Sequence, residues 1–321
     1  MIHSLDKKSV AIKGVQTRYF EYGQGESVMV LLHNGLFSKD GFCASALMWE
    51  HNIEGLGQSF RVIAPDMLGQ GDTGLPKMLD HYSYDGMVAH TRAFLAALNI
   101  RRAHLVGHDH GALVAIRIAI EAPESVASCT IVNSPAVAPW GDSVPNVTLQ
   151  GALHPLYSRQ SQAWVLARQS FTAHHVTTGQ LLDTAQAHAQ SDKFGQLREA
   201  LGGKSMDLQL VRSINKTKVN TFVHLREKGV CVPILLLWGT EDPMSSSNYV
   251  TQWGAGTDSN SAIGHARALF NLIQTRQPMT RMSFIGRAGY MPFREQPEVF
   301  NEMVSGFARA VDREEAASRP I

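Results

Sequence analysis

Ala103-His104-Leu105-Val106-Gly107-His108-Asp109-His110-Gly111-Ala112 reads as an apolar strand, a turn bounded by two glycines and the first residues of a helix. Between those glycines stands Asp109. A strand-to-helix turn this tight brings the backbone so close that a Cβ at position 107 or 111 would strike it, and the central residue is driven into strained dihedrals and pushed outward. A carboxylate displayed in this way is a candidate reactive group. The structural alternative is that Asp109 is the N-cap of the following helix, a common place for aspartate.

On either side of this turn, strand and helix alternate. Val28-Met29-Val30-Leu31-Leu32 is a continuous apolar run, the pattern of an interior parallel strand covered on both faces, and it ends at His33-Asn34-Gly35. Strands are predicted at Arg61–Ala64, Ala103–Val106 and Val126–Val132, with helices at Tyr84–Leu98 and Ala112–Ile120 between them. Two exposed antiparallel strands, Val10–Ile12 and Thr17–Tyr22, precede this rhythm, which itself predicts a doubly wound, mostly parallel α/β sheet of eight strands. The rhythm lapses from about Pro135 to Gly229, where Pro, Gln, His and Ser are frequent and helical stretches are predicted at 162–170 and 178–190. It resumes with strands at 233–238 and 281–285 and an amphipathic helix at 297–311. The expected organisation is a core of residues 1–134 and 230–321 carrying a helical lid, residues 135–229.

With 321 residues, 44% hydrophobic and 18% charged, the chain suits one α/β core with an insertion. The net charge of +1 and the lack of a basic, aromatic-interleaved patch argue against nucleic acid as a partner and point to a small molecule. A homodimer is left open. Cys43, Cys129 and Cys231 lack metal or redox spacing and are expected to be reduced core residues. The polar N-terminus and the absence of a run of about 20 apolar residues predict a cytoplasmic protein that does not span a membrane. No P-loop, dinucleotide fingerprint or metal cluster is present, so no cofactor is expected.

The turn at Asp109, with His33-Asn34-Gly35 upstream and Trp238-Gly239-Thr240-Glu241-Asp242-Pro243 downstream, resembles the nucleophile elbow and its partners in the α/β-hydrolase superfamily, over roughly Val10 to Val311. The resemblance implies that Gly107 and Gly111 are the elbow glycines, that Asp242 matches the family's acid, and that Asn34, Gly35 or Leu36 supplies one backbone N–H of an oxyanion hole and His110 the other. The Gly-His-Asp-x-Gly string is similar to the elbows of epoxide hydrolases and of haloacid or haloalkane dehalogenases, whose aspartate attacks carbon and forms an ester. Met48–Ile53 followed by Arg61–Asp66 is instead similar to meta-cleavage-product C–C hydrolases, which use serine. Their lid arginine has no counterpart near Gln180–Gln190.

Where the superfamily carries its catalytic histidine, this chain reads Ala288-Gly289-Tyr290-Met291-Pro292. Imidazole accepts and releases protons near neutral pH, whereas a phenol with a reference pKa of about 10 is ordinarily a hydrogen-bond donor. Three explanations follow. The base has moved, with His265 the histidine available after Asp242. Or the reaction has changed, with Asp109 as general base for isomerisation, cyclisation, C–C bond formation or cleavage, or elimination, and Tyr290 as a donor. Or the chain is an inactive ligand-binding protein or a His-to-Tyr variant. His108 and His110 are expected to point away from Asp109. Tyr157, Trp164, Phe171 and Trp140 could line a pocket for an apolar or aromatic substrate, and His174 and His175 could face it.

Overall fold

The structure is a computed structural model that describes residues 7–38, 41–138, 151–172, 180–244 and 262–318. Eight strands, β1 (Lys7–Ile12), β2 (Val15–Tyr22), β3 (Val28–Leu32), β4 (Arg61–Pro65), β5 (Ala103–His108), β6 (Val126–Val132), β7 (Ile234–Gly239) and β8 (Arg281–Ile285), form one sheet in the order β1-β2-β4-β3-β5-β6-β7-β8. The pairs β1–β2 and β2–β4 are antiparallel and all others parallel, the doubly wound, mostly parallel sheet expected from the sequence. All residues of β5, β6 and β7 are buried, which is why these strands read as unbroken apolar runs. Strand β2 is less exposed than its alternation suggests: Thr17, which pairs with β1, and Tyr19 and Phe20, which pair with β4, are buried.

The helices are α1 (Ile53–Leu56), α2 (Tyr84–Ala97), α3 (His110–Glu121), α4 (Arg159–Gln169), α5 (Gln180–Ala189), α6 (Asp192–Leu201), α7 (Lys204–Glu227), α8 (Ala262–Gln274), α9 (Pro292–Glu295) and α10 (Pro297–Ser318). Four of them, α4 to α7, lie between β6 and β7, where the sequence predicts two helical stretches. The 24-residue α7 goes unpredicted because its inward stripe, Leu210, Thr217, Thr221 and Leu225, is half threonine, and it packs on α2, α3 and α8. Side chains of poor helix propensity hold this conformation through tertiary packing.

Polar bonds tie the described part of this insertion to loops that follow strands of the sheet. The Tyr157 hydroxyl donates to the Ser38 carbonyl at 2.9 Å, the Cys43 N–H to Gln162 Oε1 at 3.0 Å, and the Tyr290 N–H to the Gln169 carbonyl at 2.9 Å. From α5, His188 Nε2 lies 3.0 Å from Asp72 Oδ1, and from α6 the Lys193 ammonium donates to the carbonyls of Gly71 and Thr73. Trp140, His174 and His175 lie outside the described residues. Of the cysteines, Cys43 and Cys129 are buried as expected, and burial pushes both thiols up to about 12. Cys231 is exposed, contrary to expectation, because it precedes β7 in a turn and not within the strand. No helix of the described residues is long and apolar enough to cross a membrane.

Candidate active site

Parallel strands converge on one edge through their carboxyl ends, where ligands bind in open α/β sheets. Asn34 follows β3, Asp109 follows β5, Asp242 follows β7 and Tyr290 follows β8, so residues distant in sequence arrive together. Asp109 sits at φ +46° and ψ −106°, outside the regions a non-glycine residue ordinarily adopts. It is held there from four sides: its N–H donates to the Val132 carbonyl at 3.1 Å, and its carbonyl accepts from Ala112 N–H, Leu113 N–H and the Ser134 hydroxyl. The side chain makes no capping bond to α3, which removes the capping explanation of this residue. The turn needs its glycines: a Cβ at Gly107 would lie 2.5 Å from the backbone of Ala112, and one at Gly111 2.3 Å from the Leu32 carbonyl oxygen.

The Asp109 carboxylate is buried and its two oxygens have separate partners. Oδ1 accepts from Ala136 N–H at 3.3 Å, and Oδ2 accepts a short hydrogen bond from the Tyr290 hydroxyl. Asn34 Nδ2 donates in turn to the Tyr290 oxygen at 3.2 Å. Tyr290, 1% exposed, is locked around this contact. His108 Nε2 donates to its carbonyl at 2.8 Å, and the two rings pack with centroids 4.4 Å apart. Glu295 accepts from Gly289, Phe171 and Thr172 N–H groups and so fixes the preceding loop. Burial raises the Glu295 pKa despite these donors. Burial also pushes His108 down to about 4, against the attraction of Asp109, so this histidine is a neutral support under Tyr290.

His110 departs from expectation. Its side chain does not point away: Nε2 lies 3.8 Å from Asp109 Oδ2, while Nδ1 pairs closely with the Tyr84 hydroxyl. Nothing local in the sequence marks Tyr84, which is brought in by the packing of α2 on α3. The loop after β3 is fixed by His33, whose Nδ1–H donates to the Asn34 carbonyl at 2.5 Å while Nε2 accepts from Met67 N–H at 2.9 Å. Burial holds the His33 pKa low, consistent with that single tautomer. No hydrogen bond among the described residues takes up the N–H groups of Gly35 and Leu36, the two oxyanion-hole candidates beside Asn34. Asp242 is buried after β7 and accepts from Met244 N–H at 2.9 Å; its charge also helps raise Glu295. Among the described residues no group of three or more histidine, cysteine or acidic side chains is arranged to hold a metal ion.

His265 lies on α8, 2% exposed, and neither ring nitrogen has a hydrogen-bond partner among the described residues. Burial, then the Lys218 ammonium, push it down to about 4. The structure joins it to Asp109 by no hydrogen bond or ion pair, so it answers as a core residue. Its folded pKa lies below the unfolded value of about 6.5, so the unfolded chain takes up the proton first on acidification. Its effect on stability is therefore absent above pH 6.5 and grows as the pH falls towards 4. His265→Leu is expected to flatten the fall of the unfolding free energy, measured by urea denaturation, between pH 6.5 and 4 by one group, up to about 1.4 kcal/mol per pH unit. An unchanged slope would show that His265 is not buried neutral.

The family model for the alpha/beta hydrolase fold matches residues 29–147. Epoxide hydrolase 4 of Mus musculus is 25% identical over 244 residues, covering 71% of this chain and 64% of that protein. The 2-hydroxy-6-oxo-2,4-heptadienoate hydrolase of Pseudomonas putida is 34% identical over 151 residues, 44% of this chain and 52% of the relative. The chain thus spans less than two thirds of the length of these relatives. Among solved structures, a meta-cleavage product hydrolase from Pseudomonas fluorescens IP01 superposes with a TM-score of 0.70 at 22% identity, covering 95% of this chain and 98% of that one, a likeness of fold.

Proposed function

We propose that this chain of α/β-hydrolase fold is a cofactor-independent enzyme in which Asp109 acts as general base on a small, largely apolar substrate, without a hydrolytic step. The observation that carries this reading is the hydrogen bond from the Tyr290 hydroxyl to Asp109 at the place where the superfamily keeps an imidazole. A phenol there donates to Asp109 and does not itself take a proton from water near neutral pH. Asp109 can take a proton from a carbon next to a carbonyl; the C–H electron pair becomes an enolate, whose oxyanion would be met by an N–H of Asn34, Gly35 or Leu36 and by that of His110. Return of the proton to another carbon gives isomerisation, and capture of the enolate or loss of a leaving group gives ring closure or elimination. Residues 135–229 act as the lid that keeps water from this exchange.

A test uses phenylacetone in D2O. Deuterium is expected to enter its acidic C–H positions with no mass change at Asp109. An ester on Asp109 formed from styrene oxide, hydrolysed with solvent 18O entering the carboxylate, would overturn the reading.

That second outcome has its own support: His110 Nε2 stands 3.8 Å from Asp109 Oδ2, and relatives named epoxide hydrolases cover 71% of the chain. In this alternative Asp109 is a nucleophile and His110, not His265, is the relocated base. Tyr290→His discriminates further. Restoring an imidazole at this position is expected to raise styrene oxide hydrolysis about a hundredfold; no gain in initial rate counts against Tyr290 standing in the base position.

A further inference from the structure

The hydrogen-bond chain through Tyr290 has a direction. An ionised Asp109 carboxylate only accepts, so the single Tyr290 proton goes to it and the phenolic oxygen is left to accept from Asn34. The Asn34 amide must therefore turn its nitrogen to Tyr290, and its oxygen is free to face elsewhere. Asn34 is 5% exposed, and its Oδ1 has no hydrogen-bond partner. Among the described residues it is the one unpartnered buried side-chain oxygen that belongs to a residue bonded to the Tyr290 hydroxyl. The nearby side-chain donors are committed, Tyr290 to Asp109 and Gln70 Nε2 to the Gly35 carbonyl at 2.9 Å. An acceptor buried without a partner is costly and rare in native proteins, and where one persists beside a reactive group it marks a ligand position.

We infer that the substrate carries a hydroxyl or N–H donor that binds Asn34 Oδ1 beside the carbon on which Asp109 acts. This inference rests on the reading of Asp109 and Tyr290 as the reacting pair, and it narrows the substrate class to carbonyl compounds on an apolar frame that also carry a hydroxyl or N–H donor. A substrate group that presents only an acceptor at the Asn34 oxygen is repelled there, so a donor-free ketone leaves this oxygen unpaired and is held less tightly than one that also carries a hydroxyl or N–H. The same oxygen selects the substrate's orientation, because the donor can be placed on one side of the reacting carbon only.

Phenol and toluene differ by the donor and little else in shape. Their dissociation constants, measured by calorimetric titration, give a toluene-to-phenol ratio whose solvent contribution cancels between variants. In Asn34→Leu the ratio is expected to fall about tenfold. In Asn34→Asp, which keeps an acceptor oxygen and loses the amide donor to Tyr290, it is expected to persist. Asn34→Ala serves as a second acceptor-free variant should leucine impair folding. Asp109→Asn is expected to abolish proton exchange and leave the ratio in place, which separates a failure of this inference from a failure of Asp109 as base. Equal ratios in the wild-type protein and both acceptor-free variants, or a ratio lost in Asp109→Asn and kept in Asn34→Leu, would overturn it.

Discussion

Replacing Asp109 by asparagine is expected to slow deuterium exchange into phenylacetone by about a thousandfold or more, with thermal unfolding unchanged within about 2 °C. The rate effect follows from removing the proton acceptor, since a positioned general base is worth about 10²–10⁴. The small effect on stability follows from geometry. Asparagine has the same shape, its side-chain oxygen can still accept from Tyr290 or Ala136, and the strained backbone is held by bonds to Val132, Ala112, Leu113 and Ser134 that do not involve the carboxylate. Exchange that survives the substitution within tenfold would exclude Asp109 as the base.

Gly111→Val is expected to destabilise the protein by about 4 kcal/mol or more, enough to prevent accumulation of folded chain. A Cβ there would sit 2.3 Å from the Leu32 carbonyl oxygen and 2.6 Å from that of His33, and both are backbone atoms at the end of a central strand that cannot rotate away. Relief would require parting α3 from β3 at the point where Asp109 is presented. Gly306→Ala is the control. It lies within α10, a Cβ there meets nothing within 4 Å, and the exchange of glycine for alanine in a helix is expected to stabilise by up to about 1 kcal/mol. Urea denaturation distinguishes the two; a Gly111→Val protein as stable as the wild type would refute the close approach at this turn.

Residues whose partners are near in sequence, or whose environment is uniform along a strand, were legible from the sequence. The elbow is one: its glycines, strand and helix lie within ten residues, and the steric demand acts between neighbours. The parallel core is another, since strands buried on both faces must be apolar throughout. The place of Tyr290 was also readable, because the loop after β8 keeps a Pro-containing helix start whose Glu295 binds that loop. Helix α7 was not, because its buried face is as much threonine as leucine, and its packing on α2, α3, α6 and α8 is what makes it a helix.

The sequence by itself determined that a carboxylate stands at a tight turn between two glycines and that a phenol follows the last strand, where the resemblance to α/β-hydrolases implies an imidazole. Tertiary structure alone decided what those two groups do to each other. Asn34 reaches Tyr290 across 256 residues, Tyr290 reaches Asp109 across 181, and the His110 ring turns towards Asp109 with the Tyr84 hydroxyl on its other nitrogen. Hydrogen bonds are set by distances of a few tenths of an ångström and by the direction of each proton, and no pattern along the chain encodes either. They arise when the ends of β3, β5 and β8 are brought to one edge of the sheet.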